Sequence, residues 1–210
     1  RAAVRLGLAG FVSAAATGLA VWLVVNLHAV VGAPPAWART GGLPWLVAAY
    51  SATLLLVSDA SRYAVHRAMH GVPWLWRFHQ VHHSAEVLTP VTLYRIHPVE
   101  QSLQAVRRVM VLGTVGGGFA WASGGLATPW EVYGVPALML GFNLFFANLR
   151  HSHVRIPYPQ SVERWLISPW QHQIHHRATA RGGRSNYGSF LAIWDRALGT
   201  LRYSREEGEE

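Results

Sequence analysis

The chain contains no cysteine and no lysine among its 210 residues, and only ten of its residues are acidic. Without cysteine it cannot form a disulfide, an iron–sulfur cluster, a thiolate-ligated haem or a cysteine-type zinc site. Charged residues make up 13% of the chain, whereas ordinary soluble domains contain roughly 25%. Any metal that this protein binds must therefore be held by nitrogen and oxygen ligands.

The basic residues are all arginine, and they give the chain a formal net charge of +8. Such a charge can indicate nucleic-acid binding, but hydrophobic residues account for 51% of this chain. The combination favours contact with a membrane surface instead. We therefore predict a membrane partner and no nucleic-acid partner.

Four long segments of the chain carry no charged side chain. A transmembrane helix needs about 20 mostly apolar residues, and proline or glycine clusters separate these segments. The predicted membrane spans lie near residues 6–31, 43–60, 107–123 and 129–148. The predicted fold class is therefore an all-α, multi-pass membrane helical bundle with about four transmembrane helices.

The remaining residues between and after the spans form a predicted histidine-rich cap, made of residues 61–106 and 149–203, within one domain over residues 1–210. Four spans place both termini on the same side of the membrane. Only Arg39 lies in a loop on the opposite side, so the excess of positive charge puts the termini and the cap on the cytoplasmic face. The expected location is a bacterial inner membrane.

Histidines are concentrated at the cytoplasmic ends of these spans. His66 and His70 are four residues apart and share one face of a helix. The spacing HxxHH occurs twice, beginning at His79 and at His172. Eleven histidines form the pool of candidate metal ligands: His66, His70, His79, His82, His83, His97, His151, His153, His172, His175 and His176.

So many imidazoles exceed what one octahedral ion can bind, so two metal ions are predicted. Imidazole suits iron, zinc and copper. Because these ligands are neutral, the metal charge would attract oxygen-derived ligands, which fits activation of O2. Access from a membrane fits long apolar substrates. These residues therefore indicate an iron-dependent oxygenase that acts on lipid.

The motifs HRAMH, HQVHH, RIHPVE, RHSHV, SPWQHQIHH and NYGSFLAIWDRALGT follow one another along the chain. In this order the sequence resembles the fatty acid hydroxylase/sterol desaturase superfamily, over about residues 45–203. The resemblance implies an integral membrane di-iron enzyme that uses O2 and two electrons on an unactivated C–H bond. It implies ligand roles for both HxxHH motifs, for His66 and His70, and for His151. Related sequences commonly have asparagine at the position of His153, and His97 could orient ligands instead of binding metal.

Several polar residues are predicted to support the ligands. Asp59 continues the stripe of His66 and His70, where it could hold a ligand histidine or cap polar groups at the membrane boundary. The full set of predicted supporting residues is Asp59, Glu86, Glu100, Asn186 and Asp195. For Asn186 and Asp195, fixing the C-terminal segment is the favoured role. No catalytic side chain beyond the metal centre is predicted.

The cofactor prediction is two iron ions with O2 as co-substrate, and zinc can occupy the same sites in purified protein because imidazole accepts both metals. No dinucleotide or flavin motif fits in the remaining sequence. We therefore expect electrons from a separate, NAD(P)H-linked donor protein. Six arginines could bind an acidic donor or anionic lipid headgroups: Arg67, Arg77, Arg164, Arg177, Arg181 and Arg184.

Other functions compete with the hydroxylase interpretation. A desaturase of a lipid or sterol-like substrate would use the same ligands and the same oxidant. A membrane haem electron carrier would place single histidines within facing spans. A metal transporter or storage protein would place polar ligands near the bilayer midplane. The clustering of histidines at span ends argues against the haem carrier and the transporter, and the short HR…H, HxxHH, RIHP pattern favours a hydroxylase over a desaturase.

Overall fold

A computed structural model describes residues 43–124, 145–177 and 182–207, together with positions 19, 22, 26, 32 and 141. In this part of the chain the regular structure is helical, and the one extended pairing is an isolated antiparallel bridge between Leu166 and Leu191. The all-α prediction is confirmed for these residues.

The longest helix, α1, runs from Leu43 to Gly71. Pro44 lies in its first turn, where proline is tolerated because the first amides have no partner within the helix. Pro73 cannot continue the hydrogen-bond ladder, so it begins a second helix, α2, over Pro73–His83. The histidines of HRAMH therefore lie at the end of α1, and those of HQVHH lie at the end of α2.

The further elements are shorter. Residues 145–150 are also helical. In chain order the other helices are α3 (Pro98–Val111), a π-helical turn (Leu112–Gly116), α4 (Gly117–Ala122), α5 (Gln160–Glu163), α6 (Pro169–His175) and α7 (Ile193–Ala197). The 3₁₀ turns are Pro90–Tyr94, Gly182–Arg184 and Ser204–Glu207.

The chain divides into two compact units. The first comprises Arg1–Ser58 and Gln101–Phe142, and its apolar core contains Tyr50 stacked on Phe119 with ring centroids 4.4 Å apart. The second comprises Asp59–Glu100 and Asn143–Glu210. Every histidine predicted to bind metal belongs to the second unit.

Within the second unit, the last turns of α1 are tied to the C-terminal segment. Asp59 Oδ2 accepts hydrogen bonds from the Leu191 amide at 3.1 Å and from Trp194 Nε1 at 2.9 Å. One turn further on, the Tyr63 hydroxyl lies 3.0 Å from Thr200 Oγ1. These bonds fix the segment after α6 beside the part of α1 that carries His66 and His70.

The predicted spans 43–60 and 107–123 fall on helical residues, in α1 and in the run from α3 to α4. The predicted spans 6–31 and 129–148 lie largely outside the described residues. Among the described residues, no helix combines the length and the apolar character that a bilayer crossing requires. The four-span topology and the cytoplasmic cap stay predictions.

Candidate metal centre

Three helices supply most of the predicted ligands. The end of α1 carries His66 and His70, α2 carries the first HxxHH motif, and α6 carries the second one, whose last residue His176 caps the helix. Successive residues of an α-helix are about 100° apart around the axis. The first and last histidines of HxxHH therefore share a face, while the middle histidine points in another direction.

α6 begins with a capping box formed by Ser168 and Gln171. The Ser168 hydroxyl accepts from the Gln171 amide at 3.2 Å, and Gln171 Oε1 accepts from the Ser168 amide at 2.9 Å. Pro169 occupies the first helical position, where its missing N–H has no cost. This short helix is therefore fixed at its start, one turn before its metal-ligand candidates.

Nine of the eleven candidate histidines come together in two groups, and within each group the candidate ligand atoms all lie within 4.8 Å of one another. The first histidine group contains His66, His70, His79, His83 and His175. The second histidine group contains His82, His151, His172 and His176. Each HxxHH motif contributes to both groups, as the helical geometry requires.

In the first histidine group, one ring nitrogen of several members is held by a hydrogen bond. The Nδ1 atoms of His66 and His175 lie 2.8 Å from the carbonyl oxygens of Tyr187 and Ser185, and His79 Nδ1 lies 2.9 Å from Glu100 Oε1. Since a carbonyl or carboxylate oxygen can only accept, each Nδ1 carries the proton. In a neutral imidazole that has its proton on Nδ1, Nε2 keeps the lone pair.

Four Nε2 atoms of the first histidine group are buried without hydrogen-bond partners. Among the described residues, the first group's Nε2 atoms with no hydrogen-bond partner are those of His70, His79, His83 and His175. A buried polar atom without a partner costs free energy, so native proteins rarely leave several of them together. These four nitrogens lie within 4.8 Å of one another and could act together as ligands of a metal ion.

The second histidine group brings its Nε2 atoms into direct proximity. His151 Nε2 lies 3.2 Å from His82 Nε2 and 3.4 Å from His172 Nε2, which is 3.2 Å from His176 Nε2. Two nitrogens bound to one metal ion at about 2.1 Å stand roughly 3.0–3.4 Å apart. The spacing of these four nitrogens thus fits a shared metal ion.

Burial keeps eight of the nine imidazoles in the two groups neutral at physiological pH in the metal-free chain. Burial, reinforced by His151, lowers the pKa of His82 to about 3, and burial lowers the pKa of His151 to about 4. Burial likewise lowers the pKa of His70 to about 3, with His79 adding to the effect. The pKa is also lowered by burial for His66, His83, His172, His175 and His176. Neutral imidazole is the form that binds metal.

The other two histidine candidates lie outside both groups. His153 is exposed. His97 is partly buried against Phe78, and its Nδ1 accepts a hydrogen bond from the Val99 amide at 3.1 Å. His97 Nδ1 therefore caps the start of α3.

The predicted supporting residues have different positions. Glu100 is buried and contacts His79 directly, whereas Glu86 is exposed. Asp59 accepts from Leu191 and Trp194, as described above, so it holds the C-terminal segment. Asn186 and Asp195 are fully buried in that segment.

The sequence did not indicate that the carbonyls of Ser185 and Tyr187 hold His175 and His66. Backbone carbonyls have no side-chain signature, so motif analysis cannot find them. It also missed Glu163, which is fully buried and accepts from the Ser168 hydroxyl at 2.7 Å and the Ser204 amide at 3.0 Å. For Glu163 no sequence signal was available.

In the part of the chain that the structure describes, the regular structure is helical and nine imidazoles form two adjoining sets of metal-ligand candidates. Residues 51–200 match the sequence profile of the family described as fatty acid hydroxylase. The chain therefore belongs to the fatty acid hydroxylase family, and the resemblance seen in its motifs is confirmed.

Three relatives illustrate the range of the family. The fatty acid hydroxylase vlmA of Lecanicillium sp is 32% identical over 165 residues, which cover 74% of this chain and 42% of the relative. The ornithine lipid hydroxylase OlsE of Rhizobium tropici is 28% identical over 70% of this chain and 40% of its own length. The alkylglycerol monooxygenase of Homo sapiens is 29% identical over 80% of this chain and 34% of its own length.

The aligned part of the chain thus spans less than half of each of these relatives. No solved structure matches the chain.

Proposed function

We propose that this chain is an O2-dependent lipid hydroxylase with a dinuclear iron centre. The observation that supports the proposal is the convergence of nine imidazoles into two groups in a member of the fatty acid hydroxylase family. Zinc-type structural sites use four ligands and close around a single ion. Nine ligand candidates in two adjoining sets fit two ions.

In this proposal the first histidine group holds one ion and the second histidine group holds the other. Iron bound there would supply activation of O2 and removal of hydrogen from an unactivated C–H bond. Burial keeps the imidazoles with a lowered pKa neutral. Hydrogen bonds to Tyr187, Ser185 and Glu100 orient the rings of His66, His175 and His79. Fixed ring orientation of this kind is what tunes a metal site from outside its ligands.

The substrate that we infer is a lipid or a similarly apolar molecule. The named relatives are hydroxylases of a fatty acid and of an ornithine lipid and a monooxygenase of alkylglycerol. We also propose that the chain is embedded in a membrane with its histidines on the cytoplasmic side, which rests on the apolar segments and the arginine distribution. Electrons would come from a separate NAD(P)H-linked protein.

The first test is the metal content of the chain, purified anaerobically from iron-supplemented cells and measured by elemental analysis. We expect about two iron ions per chain and no haem absorption band. His175→Ala removes a ligand of the first group and His82→Ala removes one of the second, so each variant should lose iron. His153→Ala is the matched control, because it removes an exposed histidine outside both groups.

The second test supplies O2 and a chemical reductant to the iron-loaded protein with extracted lipids, and identifies products by mass spectrometry. A gain of one oxygen atom identifies a hydroxylase, while a loss of two hydrogen atoms identifies a desaturase. A folded wild-type chain that holds one iron or none would contradict the dinuclear centre.

A further inference from the structure

A left-handed turn lies between the two carbonyl groups that hold His66 and His175. Asn186 has a φ of 53°, and among the described residues it is the one non-glycine residue with positive φ. The residue before it, Ser185, gives its carbonyl to His175 on α6, and the residue after it, Tyr187, gives its carbonyl to His66 on α1. One backbone turn therefore orients an imidazole from each of two helices.

The Asn186 side chain stabilises this turn with two hydrogen bonds. It is fully buried, its Nδ2 donates to the Gln171 carbonyl at 3.1 Å, and its Oδ1 accepts from the Arg202 amide at 2.8 Å. Its own amide donates to the Thr200 carbonyl at 2.9 Å. Asparagine enters the left-handed region more readily than most residues, and its side-chain amide makes two hydrogen bonds, to the Gln171 carbonyl and from the Arg202 amide, that glycine could not make.

Asp195 fixes the other end of the turn. Its Oδ1 accepts from the Tyr187 amide at 2.8 Å and its Oδ2 accepts from the Gly188 amide at 2.7 Å. Side-chain atoms could not be added at Gly188, because a Cβ there would lie 2.7 Å from the Leu191 carbonyl oxygen and 2.8 Å from Asp195 Oδ2. The Tyr187 carbonyl is therefore held in place from both sides.

We propose that Asn186 is a positioning residue for the first histidine group. Its left-handed backbone directs two carbonyls onto Nδ1 of His66 and His175, so that both rings present Nε2 to the metal position. The second histidine group makes no use of these carbonyls: His151 Nδ1 lies near the Ala147 carbonyl at 3.1 Å instead. The inference rests on the proposed dinuclear centre, and it predicts that changes at Asn186 weaken one metal position selectively.

The test uses cobalt(II) as a spectroscopic probe, titrated into full-length protein from which metal has been removed by a chelator. Two reference variants assign the visible absorption bands. The band lost in His175→Ala belongs to the first group, and the band lost in His176→Ala belongs to the second. Circular dichroism establishes that each variant keeps the helical content of the wild type.

Asn186→Ala removes the amide and disfavours the left-handed backbone, whereas Asn186→Gly removes the amide but keeps that backbone accessible. We expect Asn186→Ala to lower cobalt affinity at the first group by about 10- to 100-fold, the range seen when a partner of a ligand histidine is lost. Asn186→Gly should lose less, and the band of the second group should keep its affinity in both variants.

The proposal is supported if cobalt affinity at the first histidine group decreases from the wild type to Asn186→Gly and further to Asn186→Ala, while the affinity at the second group stays unchanged. Equal weakening of both bands, or wild-type affinity in both variants, would overturn it. If both variants lose the same cobalt affinity at the first histidine group, the left-handed backbone conformation is not the cause of the weaker binding. A wild-type chain that binds no cobalt would refute the dinuclear centre and this inference together, whereas two bound cobalt ions with unaffected Asn186 variants would refute the inference alone.

Discussion

Metal-free protein should lose stability when the pH is lowered from 6.5 to 5.5. His82 and His151 are buried, and their pKa values are lowered to about 3 and about 4, while an imidazole in the unfolded chain has a pKa near 6.5. Between these values the unfolded chain binds protons that the folded chain excludes. The stabilisation is therefore complete above pH 6.5 and is lost progressively as the pH falls toward the folded pKa values.

The size of the effect follows from the same pKa values. Over the interval from pH 6.5 to 5.5, each of these two imidazoles removes about 1 kcal/mol from the free energy of unfolding. The two together remove about 2 kcal/mol, which corresponds to a fall of roughly 4–8 °C in the unfolding midpoint of a chain of this size. The other ligand candidates with a lowered pKa act in the same direction.

The assay is thermal unfolding of chelator-treated protein, followed by circular dichroism at constant ionic strength. His82→Gln provides the comparison, since it deletes one titrating group. The difference between pH 6.5 and pH 5.5 should shrink by about 1 kcal/mol in this variant, whatever its absolute stability. A midpoint that is constant or rises on acidification would show that the imidazoles are not packed together in the neutral form.

Two further predictions concern the groups around the ligands. Glu100→Gln keeps a hydrogen-bond acceptor for His79 but removes the carboxylate, so the zinc affinity of the first histidine group should fall roughly tenfold. Competition with a chromogenic chelator measures this affinity. An unchanged affinity would mean that the carboxylate has no effect on His79. Gly188→Ala places a methyl group within 2.7–2.9 Å of three atoms, and we expect about 1–3 kcal/mol of destabilisation in thermal unfolding. Gly71→Ala, with nothing within 4 Å, is its control, and equal midpoints would refute the predicted clash.

Much of the candidate site could be predicted from the sequence, because the spacing of histidines along a helix determines which of them share a face. His66 and His70 share a face through their four-residue separation, and the structure places them in one group. The second HxxHH motif follows the same rule, with His172 and His176 together and His175 elsewhere. Helical periodicity accounts for these pairings.

The partners of the supporting residues were not accessible in the same way. Asp59 lies on the stripe of His66 and His70, yet its hydrogen bonds go to Leu191 and Trp194, more than 130 residues further along the chain. The role of Asn186 depends on a φ of 53° and on two neighbouring carbonyls. Such contacts arise only when distant segments pack, so spacing within one helix does not encode them.

The distribution of the two HxxHH motifs has a consequence for how the chain can change its sequence. α2 gives two histidines to the first group and one to the second, while α6 gives one to the first and two to the second. Insertion of one residue between His79 and His82 would rotate the following imidazoles by about 100° around the axis of α2. They would then no longer point into the histidine groups that they occupy now. A change in the length of α2 or α6 would therefore alter both histidine groups together.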